Sequence, residues 1–353
     1  ETMYEKHPYR FDALGTQVAK AKFELIPFKN VRDEAAAPPP GAVATVTASP
    51  KHGLETTLEV CEFVAAQGHQ VVPHLSARMV RDRAHLTDLL APARTAGIHK
   101  AFVVGGDAAQ AGEFSDGLSL LRAMREVGVK RMLFSSTCAT YGDNPKPPMD
   151  ELAAQIPCSP YARTKLGVEW MIRDFASAYG LGFTLLRYFN ASGADADGEF
   201  GEDHQPEFHL IPLVLQVPLG KRDKILLFGD DYPTPDGTCI RDYVHTDDLA
   251  SAHLLAIKAT TPTTTEIYNI GTGQGQSVKQ IHAACEEVTG TQIPFEVVAR
   301  RPGDAPALVA NSMKLRTQLG WKPKYEDIRA VIDTAWKWHK RYPNGYTDKA
   351  KGK

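Results

Sequence analysis

Tyr161 and Lys165 stand four residues apart in the run Ser159-Pro160-Tyr161-Ala162-Arg163-Thr164-Lys165. On a helix, that spacing puts a phenol and an ammonium on one face. A cation beside a phenol favours the phenolate, so a hydroxyl with a free pKa of about 10 can accept a proton near neutrality. The flanks specify the helix. Ser159 can cap it, Pro160 suits its first turn, and Gly180 can end it after Ala176-Ser177-Ala178-Tyr179. Taken alone, Tyr-x-x-x-Lys is common and reads equally well as a solvated surface pair, so the neighbouring segments decide.

The element that must hold this helix comes just before it. Arg131-Met132-Leu133-Phe134-Ser135-Ser136-Thr137 reads as a buried strand ending in hydroxyls, followed by Cys138-Ala139-Thr140-Tyr141-Gly142. The carboxyl end of a parallel strand is where open α/β sheets present chemistry. Further stretches follow in order: Leu186-Arg187-Tyr188-Phe189-Asn190, His209-Leu210-Ile211-Pro212, Asp236-Gly237-Thr238, Arg241-Asp242-Tyr243 and Arg300-Arg301-Pro302-Gly303-Asp304. With these motifs, residues from about Gly128 to Tyr346 resemble the UDP-glucose 4-epimerase family of extended short-chain dehydrogenases/reductases.

The resemblance implies roles. Tyr161 would take the proton from the sugar 4-hydroxyl, Lys165 would hold the nicotinamide ribose and lower the Tyr161 pKa, and Thr137 would hydrogen-bond the same hydroxyl. Phe189 would line the nicotinamide pocket. Asn190, His209, Leu210, Arg241, Arg301 and Asp304 would hold UDP, a guanidinium fork being well matched to phosphate oxygens. The cofactor implied is NAD, the substrate a UDP-sugar and the activity an NAD-dependent isomerisation. Homodimers are frequent in that family, so the resemblance allows a homodimer and leaves the oligomeric state open.

The amino part departs from this pattern. A dinucleotide-binding half opens on a strand, a Gly-rich turn and a helix amino end, but residues 1–127 hold no G-x-x-G-x-x-G or G-x-G-x-x-G. Gly271-Thr272-Gly273-Gln274-Gly275 follows a strand and precedes a helix capped by Ser277, yet it belongs to a late epimerase-like segment and is read as a decoy. Phe23-Glu24-Leu25-Ile26-Pro27-Phe28-Lys29, Pro73-His74-Leu75-Ser76-Ala77-Arg78 and Val104-Gly105-Gly106-Asp107 resemble methylenetetrahydrofolate reductase, a flavin-binding (β/α)8 barrel. There Glu24 would match the catalytic acid, and His74 and Asp107 flavin-site positions.

The fold expected is α/β: a half-barrel-like amino part joined to the second half of a Rossmann-like domain, with a smaller α/β substrate-binding subdomain. The divisions are a lead-in at 1–19, βα units at 20–127, an epimerase-like part at 128–346 with its subdomain mainly at 191–237 and 274–345, and a flexible tail at 347–353. Such a fusion would add strands in one direction without the reversal that forms a cofactor crevice. It leaves open an inactive structural chimera, or a flavin-dependent reductase. Strands are predicted near 22–26, 43–48, 70–75, 100–104, 131–135, 183–188 and 266–270, with a loop at 35–41 and amphipathic helices between most strands.

Composition bounds the rest. With 353 residues, 43% apolar, and a mean hydropathy of −0.28, the chain reads as a soluble globular protein of about two domains. A formal net charge of −2 argues against general affinity for nucleic acid or anionic membrane. Neither a spanning apolar run nor a signal peptide is read, and Glu1 is taken to mark an incomplete translation product. The five scattered cysteines suit free thiols in a reducing cytoplasm, and the dispersed histidines predict no metal site.

Overall fold

The computed structural model describes residues 22–25, 43–48, 52–99, 101–104, 112, 117–126, 128–143, 147–204 and 206–349. The chain forms two compact units, Glu1–Val129 and Lys130–Lys353.

In the amino unit, β1 (Lys22–Leu25) and β2 (Val43–Val46) precede α1 (Gly53–Ala66) and β3 (Gln70–Ser76). Then come α2 (Arg83–Thr95), β4 (Phe102–Val104) and α3 (Gly117–Glu126). The strands pair in the order β1-β2-β3-β4, every pair parallel. This order follows the sequence without reversal. The buried face of α1 carries Leu54, Leu58, Cys61 and Val64, at the three- and four-residue spacing that makes one helical stripe. That stripe packs in one core with Ala44, Val46, Val71 and Leu75 of the sheet. Asp82 starts α2 by accepting from the His85 N–H at 2.7 Å.

The carboxyl unit opens with β5 (Arg131–Thr137), α4 (Pro160–Tyr179), β6 (Gly182–Tyr188) and β7 (Asn190–Ser192). It continues with α5 (Leu210–Leu215), β8 (Ile225–Phe228), β9 (Ile240–His245), α6 (Thr246–Ala259), β10 (Thr265–Ile270) and β11 (Gly275–Ser277). The last elements are α7 (Val278–Thr289), β12 (Phe295–Val298), β13 (Ala307–Leu308), α8 (Met313–Leu319), α9 (Ile328–Arg341) and α10 (Tyr346–Lys349).

Strand β6 is central, flanked in parallel by β5 and β10. Its residues from Gly182 to Arg187 are all buried, as expected of a parallel strand covered on both faces. Leu186, Val244, Ala252, Ala256, Ile270, Leu315 and Trp321 form the core that seats α6 and α8 against this region. Strand β9 gathers β7, β11 and β13 around it, and β8 pairs with β12. A second core, with Ile211, Val214, Leu215, Ile225, Tyr243, Ile281 and Ile332, ties α5, α7 and α9 together.

Residues 347–349, expected in a flexible tail, belong to α10, where the buried Asp348 accepts from the Asn344 backbone N–H at 2.8 Å. The expected lead-in at 1–19, the loop at 35–41 and residues 350–353 lie outside the described residues. No helix among the described residues is long and apolar enough to cross a membrane.

Candidate active site

Helix α4 forms as its sequence directs: Ser159 accepts from the Ala162 N–H at 3.2 Å, Pro160 occupies the first turn, and Gly180 closes the far end in the left-handed conformation. Tyr161 and Lys165 therefore share a face, with the Lys165 ammonium 5.9 Å from the Tyr161 ring centroid. Thr137 ends β5, where its hydroxyl accepts from the Ala139 N–H at 3.1 Å and caps the short turn Cys138–Tyr141. The Tyr161 ring is 55% exposed, open to a ligand.

The expected lowering of the Tyr161 pKa by Lys165 is not seen. Burial pushes the phenol above its ordinary value, with the Thr137 hydroxyl acting the other way. Lys165, itself pushed down by burial, donates to the Ser135 carbonyl at 3.0 Å.

The residues assigned to UDP do come together. Asn190, His209, Leu210, Arg241, Arg301 and Asp304 all line one cavity of about 390 Å³ in the carboxyl unit. Arg241 is fixed by donating to the Ala305 carbonyl at 2.7 Å and approaches Asp304 at 3.5 Å. The Arg301 guanidinium lies over the Phe228 ring, 3.8 Å from its centroid. Asn190 donates to the Asp242 carbonyl at 3.0 Å, and His209 faces Glu202 and Glu207. Phe189 is 4% exposed, stacks on Tyr141 at 6.5 Å and belongs to a core cluster with Cys138 and Ala305, apart from the cavity lining. That cluster links the two groups: Cys138 follows Thr137, and the charge of Arg241 is felt at its thiol.

Residues 115–333 match a protein family described as GDP-mannose 4,6 dehydratase. The UDP-glucose 4-epimerase of Halalkalibacterium halodurans is 49% identical over 236 residues, spanning 67% of this chain and 71% of that protein. The chain belongs to the UDP-glucose 4-epimerase family. Its likeness to that family reaches beyond the carboxyl three-fifths expected from the motifs. The Rhizobium meliloti UDP-glucose 4-epimerase is 42% identical over 309 residues, covering 81% of this chain and 94% of that protein. The solved structure of the Bifidobacterium longum UDP-glucose 4-epimerase, in complex with NAD+ and UDP, aligns at a TM-score of 0.70 and 29% identity, over 92% of this chain and all of that one.

Within this epimerase-family chain, the sequence reading missed what holds α4. Glu169 lies two helical turns from Tyr161 and is fully buried beside Arg187 of β6, which is 1% exposed. Arg187 Nη2 meets Glu169 Oε2 at 2.6 Å and Nε meets Oε1 at 2.9 Å, a fork on a carboxylate. Ser136 donates to the same carboxylate at 2.5 Å, and Arg187 Nη1 donates to the Tyr141 hydroxyl at 3.0 Å, which in turn donates to Asn269 at 2.7 Å. Burial alone would raise the Glu169 pKa, but Arg187 and Ser136 outweigh it and hold the carboxyl below its usual range. The available signals were an acid four residues beyond Lys165 and an arginine inside an apolar strand.

The loop 271–275 is a nest whose anion is internal. Asp242 accepts from the Thr272 N–H at 2.9 Å, the Thr272 hydroxyl at 2.8 Å and the Gly273 N–H at 2.9 Å. A Cβ on Gly271 would stand 2.7 Å from Asp242 Oδ2. The amides that a phosphate would need are occupied, which accounts for the decoy. In the amino unit, Asp107 lies outside the described residues and the Glu24 side chain is not described. His74 is partly buried in β3, and that burial pushes its pKa down.

Proposed function

We propose that the chain is a UDP-glucose 4-epimerase, interconverting UDP-glucose and UDP-galactose by transient oxidation at sugar C4. The observation that carries this is the concurrence, in one unit, of the Tyr161–Lys165–Thr137 cluster and an arginine-lined cavity. Arg241 and Arg301 would take the diphosphate, Phe228 offers a face for a planar base, and Asp304 and Asn190 would accept from or donate to the nucleoside. Leu210 and His209 would close the cavity wall. Thr137 and Tyr161 would share the sugar 4-hydroxyl, with Tyr161 moving its proton.

The nicotinamide end of NAD fits here. Lys165 uses one N–H on Ser135 and keeps two for ribose hydroxyls, while Tyr161 stays accessible. When bound, oxidised NAD would supply the hydride acceptor, and Tyr161 would exchange the proton of the 4-hydroxyl. The pyrophosphate end has no glycine cradle in the sequence of residues 1–127.

One observation favours a second reading of the amino unit. Its one-way order β1-β2-β3-β4 suits half of a (β/α)8 barrel, whereas a nucleotide-binding half returns to its first strand and grows the other way. On that reading the chain is a fusion, and flavin binding or a purely structural role replaces epimerisation.

The deciding experiment is interconversion of UDP-galactose and UDP-glucose with NAD supplied. Turnover dependent on NAD supports the epimerase. A cooperatively melting chain with no turnover, or one that purifies yellow with flavin, supports the fusion.

A further inference from the structure

We propose that Glu202, His204, Glu207 and His209 form a site for one divalent transition-metal cation of the zinc type. The four residues follow one another as Glu-x-His-x-x-Glu-x-His on the segment between β7 and α5. Dispersed histidines had predicted no metal site, but here two of them share a loop with two acids. One donor atom from each side chain lies within 4.8 Å of the other three. Both imidazoles turn Nδ1 inward. His204 Nδ1 is 3.0 Å from Glu202 Oε1 and 3.8 Å from Glu207 Oε2. His209 Nδ1 is 3.1 Å from Glu207 Oε1 and also contacts Glu202 Oε1.

A tetrahedral cation with bonds of about 2.0–2.1 Å places its donors about 3.4 Å apart, within the 4.8 Å that holds one donor atom from each of the four side chains. The donor set selects the metal. Magnesium and calcium take oxygen ligands, whereas paired imidazoles suit zinc and its neighbours. Two carboxylates also cancel the charge of a divalent ion.

The loop is held from outside the cluster. Gly201 packs so closely on Trp338 that a Cβ would stand 2.2 Å from the indole, and Trp338 Nε1 donates to the Glu202 carbonyl at 3.1 Å. The Glu207 side chain is only 8% exposed and accepts from the Phe208 and His209 N–H groups at 2.7 and 2.8 Å. A protonated His209 is the competing occupant, and its pKa is pushed up, first by its bond to Glu202.

Glu202, Glu207 and His209 also line the cavity proposed for UDP, but the metal needs only these four side chains, so Zn2+ binding is read separately from epimerisation. The test is equilibrium dialysis of the full chain against Zn2+ near neutral pH, followed by metal analysis. We expect one Zn2+ per chain, not displaced by excess Mg2+. Substituting Co2+ is expected to give the visible absorption of four-coordinate cobalt. His204 is outside the cavity lining, so His204→Ala removes a ligand while leaving UDP binding and circular dichroism unchanged, and is expected to weaken Zn2+ binding by about 10-fold or more. Glu207→Gln is a second variant expected to weaken it likewise. A wild-type chain that holds no Zn2+, or that holds it no better than His204→Ala, would overturn the site.

Discussion

Replacing Tyr161 with Phe keeps a ring of the same shape, half exposed beside Lys165, and removes only the oxygen that would exchange a proton. Because Tyr161 is not among the residues lining the 390 Å³ cavity, the loss should fall on turnover, not on nucleotide affinity. We expect kcat to drop about 10²- to 10⁴-fold, the range of a lost general acid–base, with UDP affinity by calorimetry unchanged. An equal loss in both would place Tyr161 in binding. The helix face shared by Tyr161 and Lys165 was legible because residue types, spacing and capping sit within a few positions of each other. Their electrostatics were not. The Lys165 bond to the Ser135 carbonyl depends on a strand thirty residues upstream, and spacing on the helix carries no sign of it. Glu169 and Arg187 were missed for a related reason, since each alone reads as a surface charge.

At the scale of elements, α4 is located by that missed pair. Glu169 sits on the helix face of Tyr161 and Lys165, and its carboxylate is gripped by Arg187 from β6 and Ser136 from β5. Glu169→Ala would leave a guanidinium uncompensated in the core, so we expect about 3–5 kcal/mol lost in urea unfolding. Arg187→Ala should cost a similar amount, and the pair together less than the sum. The pH dependence has a definite sign. The folded pKa of Glu169 lies below its ordinary 4.5, so its stabilisation is complete above that value and lost as pH falls through the folded pKa. In Glu169→Gln that part of the acid slope should vanish; an unchanged slope would show that other carboxyls carry it. The main strands were readable as bounded apolar runs, and β1 to β6 and β10 fall where expected. Strands β7, β11 and β13 are two or three residues long and exist through pairing around β9, so no local pattern announces them.

At the scale of the molecule, the two units were legible to different depths. The carboxyl unit declares its family through ordered motifs and gathers the residues predicted for UDP into one cavity. Among its described residues the amino unit shows a parallel sheet in sequence order, β1-β2-β3-β4. The family likeness nevertheless covers 81% of the chain in one relative and so enters this unit. These two facts make a common prediction about affinity. On the proposed reading Lys165, Tyr161 and Thr137 would hold the nicotinamide end, while neither G-x-x-G-x-x-G nor G-x-G-x-x-G occurs in the sequence of residues 1–127. Losing backbone donors to a diphosphate, at about 1.5–3 kcal/mol for each charged hydrogen bond, weakens retention by one to several powers of ten. We therefore expect NAD to be exchangeable. Exhaustive dialysis should abolish UDP-galactose turnover, and added NAD should restore it along a saturable curve. Cofactor that stays stoichiometric through exhaustive dialysis would overturn this expectation.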